Sequence, residues 1–381
     1  MRTDKPIYLD YNATTPVAPE VVEAMLPYLH EHWGNPSSSH AFGRRAHAAV
    51  DAARQQVAEL IGCAADEIVF TSGGTEANNL AVHGVTEAVV ERRHVVTSAI
   101  EHPSVAAPCA GLERQGWRIC RLEVDHDGRV ILDQLTANIG AGTALVTIMH
   151  SNNETGVLQP IATIAQAAHT AGALMHTDAA QSLGKIPVDV NLLDVDLLSI
   201  AGHKLYAPKG VGALYVRRGT SLKPFMLGAG HEHGLRPGTE NVASIAGLGA
   251  ACDLARRSVG AAGARMSELR NRLSELLSSR VSGLILNGDL KERLPNTLNV
   301  CFPKVSGTAP LAATPDVAAS TGAACHDGRE TPSAVLLAMG VSAAQAIGSV
   351  RLTLGRSTTD AEIERAADAL SMAWIALTVG Q

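Results

Sequence analysis

The sequence predicts an α/β protein, with a large domain on a mostly parallel sheet and a smaller α+β domain after it. Three observations predict this. At 381 residues the chain is longer than one average domain. Strand and helix signals alternate from Ile68 to about Val216, as they do in successive βα units. After Arg236-Pro237-Gly238-Thr239 the alternation gives way to longer helical stretches and a few short strands. The expected boundaries are 15–258 for the large domain, with 1–14 and 259–381 forming the small one.

Ile7 to Asp10 reads as a short strand running into the polar turn Tyr11-Asn12-Ala13-Thr14-Thr15-Pro16. A helix is expected from about Ala18 to His30, and the turn-forming residues of Trp33 to His40 make a loop. Val50, Ala53, Val57 and Leu60 recur at helical spacing, which places a core-facing helix over 44–61. Strands are expected at 68–71, 95–98, 117–123, 144–150 and 173–177, with helices at 76–90 and 161–171. Two further apolar runs, Leu197 to Ile200 and Val211 to Val216, have strand character. Beyond them, helices are expected at 241–257 and 264–280, the second amphipathic through Met266, Leu269, Leu273, Leu276 and Leu277. Short strands at 284–286, 297–302 and 350–354 and a last helix from Asp360 complete the chain. Val305 to Thr314, rich in Ala, Gly and Pro, gives no clear pattern.

The apolar content of 46% supports an ample core, and a net charge of -6 argues against a nucleic-acid partner. No apolar run reaches the roughly 18 to 20 residues of a membrane helix, and the first residues lack a signal-peptide core, so a cytoplasmic protein is expected. The six cysteines form no CxxC pair and read as reduced thiols. His231-Glu232-His233 has no further matching ligand, so no metal is expected.

In open α/β sheets chemistry gathers at the carboxyl ends of strands. Thr71-Ser72-Gly73-Gly74-Thr75-Glu76 joins a strand to a helix, where a small-residue turn and a helix N-terminus offer N–H groups to phosphate. It is neither a Walker A loop nor GxGxxG, and by itself it reads equally as an ordinary helix start capped by Thr75. His176-Thr177-Asp178 ends a strand on a carboxylate, suited to a cationic ring nitrogen or to capping a helix. Leu197 to Gly210 holds Lys204 between two apolar runs, where burial lowers an amine's pKa and makes it a nucleophile or base. Alone, Lys204 reads equally as a strand-capping lysine. In this order, on successive βα units, the three point to a pyridoxal phosphate site anchored by Lys204.

A wider set of motifs accompanies them: Asp10 to Pro16, Gly34-Asn35-Pro36-Ser37-Ser38, Ser72 to Asn79, Ser98-Ala99-Ile100-Glu101-His102, Asn152-Asn153-Glu154-Thr155-Gly156, Gly202-His203-Lys204 and Arg236 to Asn241. Over essentially the whole chain this set resembles the cysteine desulfurase and selenocysteine lyase family, class V aminotransferase-like enzymes of pyridoxal phosphate fold type I. The resemblance implies that Gly74, Thr75 and His203 hold the cofactor phosphate, with Thr239 reaching in from a partner subunit, and hence a homodimer. It implies a ring-stacking and proton-handling role for His102, a pyridinium contact for Asp178, and ring-hydroxyl or substrate contacts for Asn153 and Gln181. Asn12 and Arg351 are the implied substrate-binding residues, with Arg351 clamping the carboxylate.

Cys325, in the small-residue run Ser320 to Arg329, is the implied sulfur acceptor, whereas Cys252 and Cys301 fall in apolar segments and read as inert. Ala201 stands where the family often has a phosphate-binding serine, and with Gly322-Ala323-Ala324-Cys325-His326 it lies nearer to selenocysteine lyases than to many desulfurases. The leading expectation is a cysteine desulfurase that converts L-cysteine to L-alanine and leaves a persulfide on Cys325. The alternatives are a selenocysteine lyase and a catalytically silent sulfur-transfer scaffold. A sulfur-acceptor protein is a further suggested partner.

Overall fold

Buried apolar residues occupy successive positions in the strands of the first half, so a sheet made from them has to be covered on both faces. The computed structural model describes residues 5–321, 324–326 and 329–379, without the side chains of 324–326, 329 and 330. Strand β1 (Ile7–Tyr8) and helices α1 (Pro19–His30) and α2 (Ala41–Ile61) come first. Then follow β2 (Ile68–Thr71), α3 (Gly74–Ala88), β3 (His94–Ser98), α4 (Pro103–Arg114), β4 (Arg118–Leu122) and α5 (Leu132–Asn138). Next are β5 (Thr143–Thr147), α6 (Ile161–Thr170), β6 (Leu174–Asp178), α7 (Val190–Leu193), β7 (Leu197–Ala201) and β8 (Gly212–Val216).

Strands β2 to β8 form one seven-stranded sheet in the order β2-β8-β7-β6-β5-β3-β4. Neighbours from β4 to β7 are parallel, and β8 runs antiparallel between β7 and β2. The fold class is therefore the α/β arrangement expected, a mixed sheet that is mostly parallel. Alternate side chains serve opposite faces. Val69, Val95, Leu145, Leu197 and Leu214 pack with Leu80 of α3 and Val105 and Leu112 of α4. Phe70, Val96, Val146, Leu198 and Ala213 pack on the other face with Val57 of α2 and Ile164 of α6.

The remaining elements are α8 (Val242–Arg280), β9 (Ile285–Leu286), β10 (Thr297–Cys301), α9 (Thr308–Ala313), β11 (Val317–Ala318), β12 (Ala324–His326), β13 (Arg329–Thr331), α10 (Ala334–Ala338), α11 (Ala343–Ile347), β14 (Ser349–Thr353) and α12 (Asp360–Thr378). Strands β14, β10 and β9 make an antiparallel sheet, while β1 pairs with β11. A second core joins Leu9, Leu298, Val300, Leu352, Ile363 and Leu370.

Two expectations change. The helices expected at 241–257 and 264–280 are one continuous helix of 39 residues. The glycines at 260 and 263 cost about 1 kcal/mol each in a helix interior, but neither removes a backbone donor as proline would. Both halves are held by packing, Leu248 and Cys252 in the first core and Leu269, Leu273 and Leu277 in the second. The Ala-, Gly- and Pro-rich stretch 305–314 contains the short helix α9.

The loop before α8 is pinned by a buried ion pair. Arg54 of α2 donates to both oxygens of Glu232 at 2.8 and 2.7 Å, and the Phe70 N–H donates to the same carboxylate at 2.7 Å. Glu232 pays for a left-handed φ of 46° with these three bonds. Its carboxylate is thereby committed within the fold. Removing one partner of such a pair leaves a buried charge uncompensated. Glu232→Ala is expected to lower stability by about 3–5 kcal/mol in chemical denaturation, and Arg54→Met combined with Glu232→Leu is expected to restore much of the loss.

Candidate active site

The register of three strands brings the sequence-predicted residues to one edge. Gly212, at the start of β8, is paired with Thr71 at the end of β2 and with Ala201 at the end of β7. Asp178, at the end of β6, is paired with Ser199 of β7. The absence of a side chain at Gly212 is what lets the loop after β2 close on β7. A Cβ there would lie 2.4 Å from the Ile200 carbonyl oxygen and 2.7 Å from Gly73 Cα. A cavity of about 640 Å³ opens at this edge, and Gly74, Thr75, His102, Asn153, Asp178, Gln181, His203 and Lys204 all line it.

The anion end is the start of α3. Its N-cap is Gly73, at φ 148°, with no side-chain cap, so Thr75 lies inside the first turn and does not cap it. Uncapped N–H groups at a helix start are donors for an anion. Ala201 closes this end: a Cβ on Gly74 would stand 3.1 Å from Ala201 Cβ. Glu76 ties the loop down by accepting from Ser72 N–H and from Arg236 Nε, each at 2.8 Å. His203 Nδ1 lies 3.2 Å from Thr14 Oγ1, and burial, with Lys204, Lys209 and Lys185 adding, pushes its pKa down to about 4.

The carboxylate end is held by neutral donors. Asp178 accepts from Asn78 Nδ2 at 2.7 Å and from Ala180 N–H at 2.9 Å. Asn78 also donates to Ser104 Oγ at 2.8 Å, and Ser104 N–H donates to His102 Nδ1 at 3.1 Å while its hydroxyl lies 2.7 Å from the same nitrogen. Because Nδ1 accepts, the proton of neutral His102 sits on Nε2. Burial lowers the His102 pKa, the Asp178 charge opposes this and the Lys204 charge adds to it.

Lys204 sits in a single 3-10 turn, Gly202–Lys204, directly after β7. Its Nζ donates to the carbonyls of Asn12 at 2.5 Å and Ala13 at 2.8 Å. Burial and then the Arg351 charge push its pKa down to about 8, against Asp10 and Asp178. This arrangement can hold an anion at α3, meet a cationic ring nitrogen at Asp178 and present a partly neutral amine between them. That is the donor set a phosphorylated pyridine aldehyde needs.

The other expected residues stand apart. Asn12 is buried behind the cavity, its amide spent on Asn153 O, Thr297 Oγ1 and Asn296, so its backbone carbonyl, and not its side chain, meets Lys204. Arg351 also lies behind the lining, donating to Asn153 O at 3.1 Å and to Asp10 at 2.8 Å. Thr239 is exposed and outside this chain's cavity. Cys325 falls in β12, its backbone opposite Glu330, and its side chain lies outside the described residues. Cys252 and Cys301 are buried, with pKa values raised by burial.

Sequence reasoning missed Asn78, Ser104, Glu101, Lys185 and Gly212. A usable signal existed for two of them: Asn78 falls one helical turn after Gly74, and Lys185 one turn after Gln181. Glu101 is buried, accepts from Ser98 Oγ and Met149 N–H, and is pushed up to about 8 by burial.

Residues 7–366 match the model of the aminotransferase class-V family, a family dependent on pyridoxal phosphate. A cysteine desulfurase IscS from Anaeromyxobacter dehalogenans is 49% identical over 365 residues, covering 95% of this chain and 90% of that protein. Among solved structures, a NifS-like protein superposes with a TM-score of 0.91 at 34% identity, covering 98% of this chain and 100% of its own. SspA in complex with cysteine superposes with a TM-score of 0.81 at 36% identity, covering 92% of this chain and 99% of that one. With nearly all of its length matched and nearly half of the aligned positions shared with a curated relative, this chain belongs to the aminotransferase class-V family, among the cysteine desulfurases.

Proposed function

We propose that this chain is a pyridoxal phosphate-dependent cysteine desulfurase that takes L-cysteine to L-alanine and holds the sulfur as a persulfide on Cys325. The observation that carries this reading is the convergence of Lys204, Asp178 and the uncapped start of α3 on one cavity. Bound pyridoxal phosphate supplies an electron sink for the bond broken at the substrate's α-carbon.

The chain's own residues do the rest. The N–H groups of Gly74 and Thr75, the Thr75 hydroxyl and His203 hold the phosphate, and Thr239 of the second subunit of a homodimer completes the cradle. Asp178, held by Asn78 and the Ala180 N–H, keeps a ring nitrogen protonated. Lys204 anchors the cofactor and, once freed, removes the α-proton of the substrate. His102 covers the ring and carries a proton on Nε2. Gln181 and Asn153 contact the ring oxygen and the substrate, and Arg351, turning from Asp10 behind this lining into the cavity, receives the substrate carboxylate.

The Cys325 thiolate attacks the substrate sulfur as the carbon–sulfur bond breaks. The bonding pair stays with carbon, which takes up a proton to become the alanine side chain, and Cys325 keeps the sulfur as a persulfide. A cytoplasmic sulfur-acceptor protein then receives it. Relatives named cysteine desulfurase at 46–49% identity favour this substrate over selenocysteine, so the alanine at 201 does not carry the lyase reading. A silent scaffold has no use for the complete set Lys204, Asp178 and His102.

Paired turnover of L-cysteine and L-selenocysteine tests the reading. Cys325→Ala is expected to lose activity toward cysteine on the order of a hundredfold or more, and full retention would show that another group accepts the sulfur. Covalent attachment of pyridoxal phosphate to the apo chain needs the neutral Lys204 amine. Its rate is therefore expected to rise with pH and level off above about 8, whereas an ordinary lysine would keep gaining toward pH 10.5. Ala201→Ser restores a hydroxyl at the anion end and is expected to slow cofactor release by about two- to tenfold, measured by loss of the visible band on dialysis.

A further inference from the structure

We propose that Lys185 is a positioning residue that fixes the side-chain amide of Gln181, so that the site offers the cofactor an N–H donor and not a carbonyl. The proposal rests on the reading of the cavity as a pyridoxal phosphate site.

Lys185 lies on the turn after Asp178, is only 6% exposed, and takes no part in the mechanism above. Its Nζ donates to two atoms of one residue, the Gln181 backbone oxygen at 2.9 Å and Gln181 Oε1 at 2.8 Å. The charges that reach it, Lys204 and Arg351, are both positive, and with burial they hold its pKa well below the ordinary lysine value. A lysine buried next to cations, with a glutamine as its acceptor, is costly to keep for packing alone.

The geometry gives it a task. A glutamine amide can be turned either way, and its neighbours decide which way it sits. The donors of Lys185, protonated or neutral, draw Oε1 toward themselves. Nε2 then lies 3.0 Å from the Asn12 carbonyl oxygen, the same atom that receives Lys204. Turned over, the amide would set its oxygen against the Asn12 oxygen and its N–H groups against the Lys185 donors. Lys185 and Asn12 therefore select one orientation. Because Gln181 lines the cavity, that orientation determines which polar atom a ring oxygen meets.

The test uses holoenzyme carrying Lys185→Met, Gln181→Ala, both changes, or Lys185→Gln, which keeps an N–H donor. Cofactor release, the position of the visible absorption band and thermal unfolding are measured on each. Lys185→Met removes a buried amine and leaves an apolar chain of similar length, so it is expected to fold. It and Gln181→Ala are each expected to release cofactor about five- to tenfold faster and to shift the band in the same direction. The double variant should fall within about twofold of either single one, and Lys185→Gln within about twofold of the wild type. Wild-type release and an unshifted band in Lys185→Met, or effects that multiply with those of Gln181→Ala, would overturn the proposal. A wild-type chain that binds no pyridoxal phosphate would overturn the reading of the cavity itself, and this proposal with it.

Discussion

The backbone carbonyl of Asn12 is the point on which the site depends. It receives Lys204 Nζ and Gln181 Nε2, which come from the ends of two neighbouring parallel strands. The Asn12 side chain meanwhile bonds Asn153, Thr297 and Asn296, and its own N–H donates to Thr353 Oγ1. One residue near the start of the chain thus ties the lysine turn of the large sheet to β10 and β14 of the second core. Asp10, two residues earlier, makes a parallel tie to Arg351. The polar groups of Asn12 are all satisfied, and a buried network of that kind is rigid and specific. A partly satisfied one would cost more than an apolar core.

Around that point, burial and charge pull the titratable groups in different directions. Burial disfavours every charge, and at His203 and Lys204 it is the largest influence, reinforced by neighbouring cations. Both groups are pushed toward the neutral form, the form in which an amine can act as a nucleophile or base. Asp178 takes its two hydrogen bonds from neutral donors, Asn78 and the Ala180 N–H.

The alternation of strand and helix, the three strand-end motifs and the inert cysteines were legible in the chain itself, because each depends on neighbouring residues. Thr71 to Glu76, Asp178 and Lys204 could be singled out one at a time, each with an equally good ordinary reading. Their order along successive βα units, and the likeness of the surrounding motifs to one family, tipped the choice. Local pattern erred where packing overrides it. The gap read between helices at 241–257 and 264–280 is a break that a helix anchored in both cores does not make. Thr75 suggested a cap, but the helix starts two residues too early for that.

The sequence by itself determined which chemistry this chain carries, since side-chain type and spacing within a βα unit are local properties. Only the tertiary structure decided how that chemistry is assembled. The antiparallel insertion of β8 sets Thr71 and Ala201 on either side of Gly212, a pairing between positions more than a hundred residues apart. The same folding puts Arg351 against Asp10. Contacts of that kind leave no period or motif in the chain, because they depend on strand register and on which side chains burial forces to find a partner.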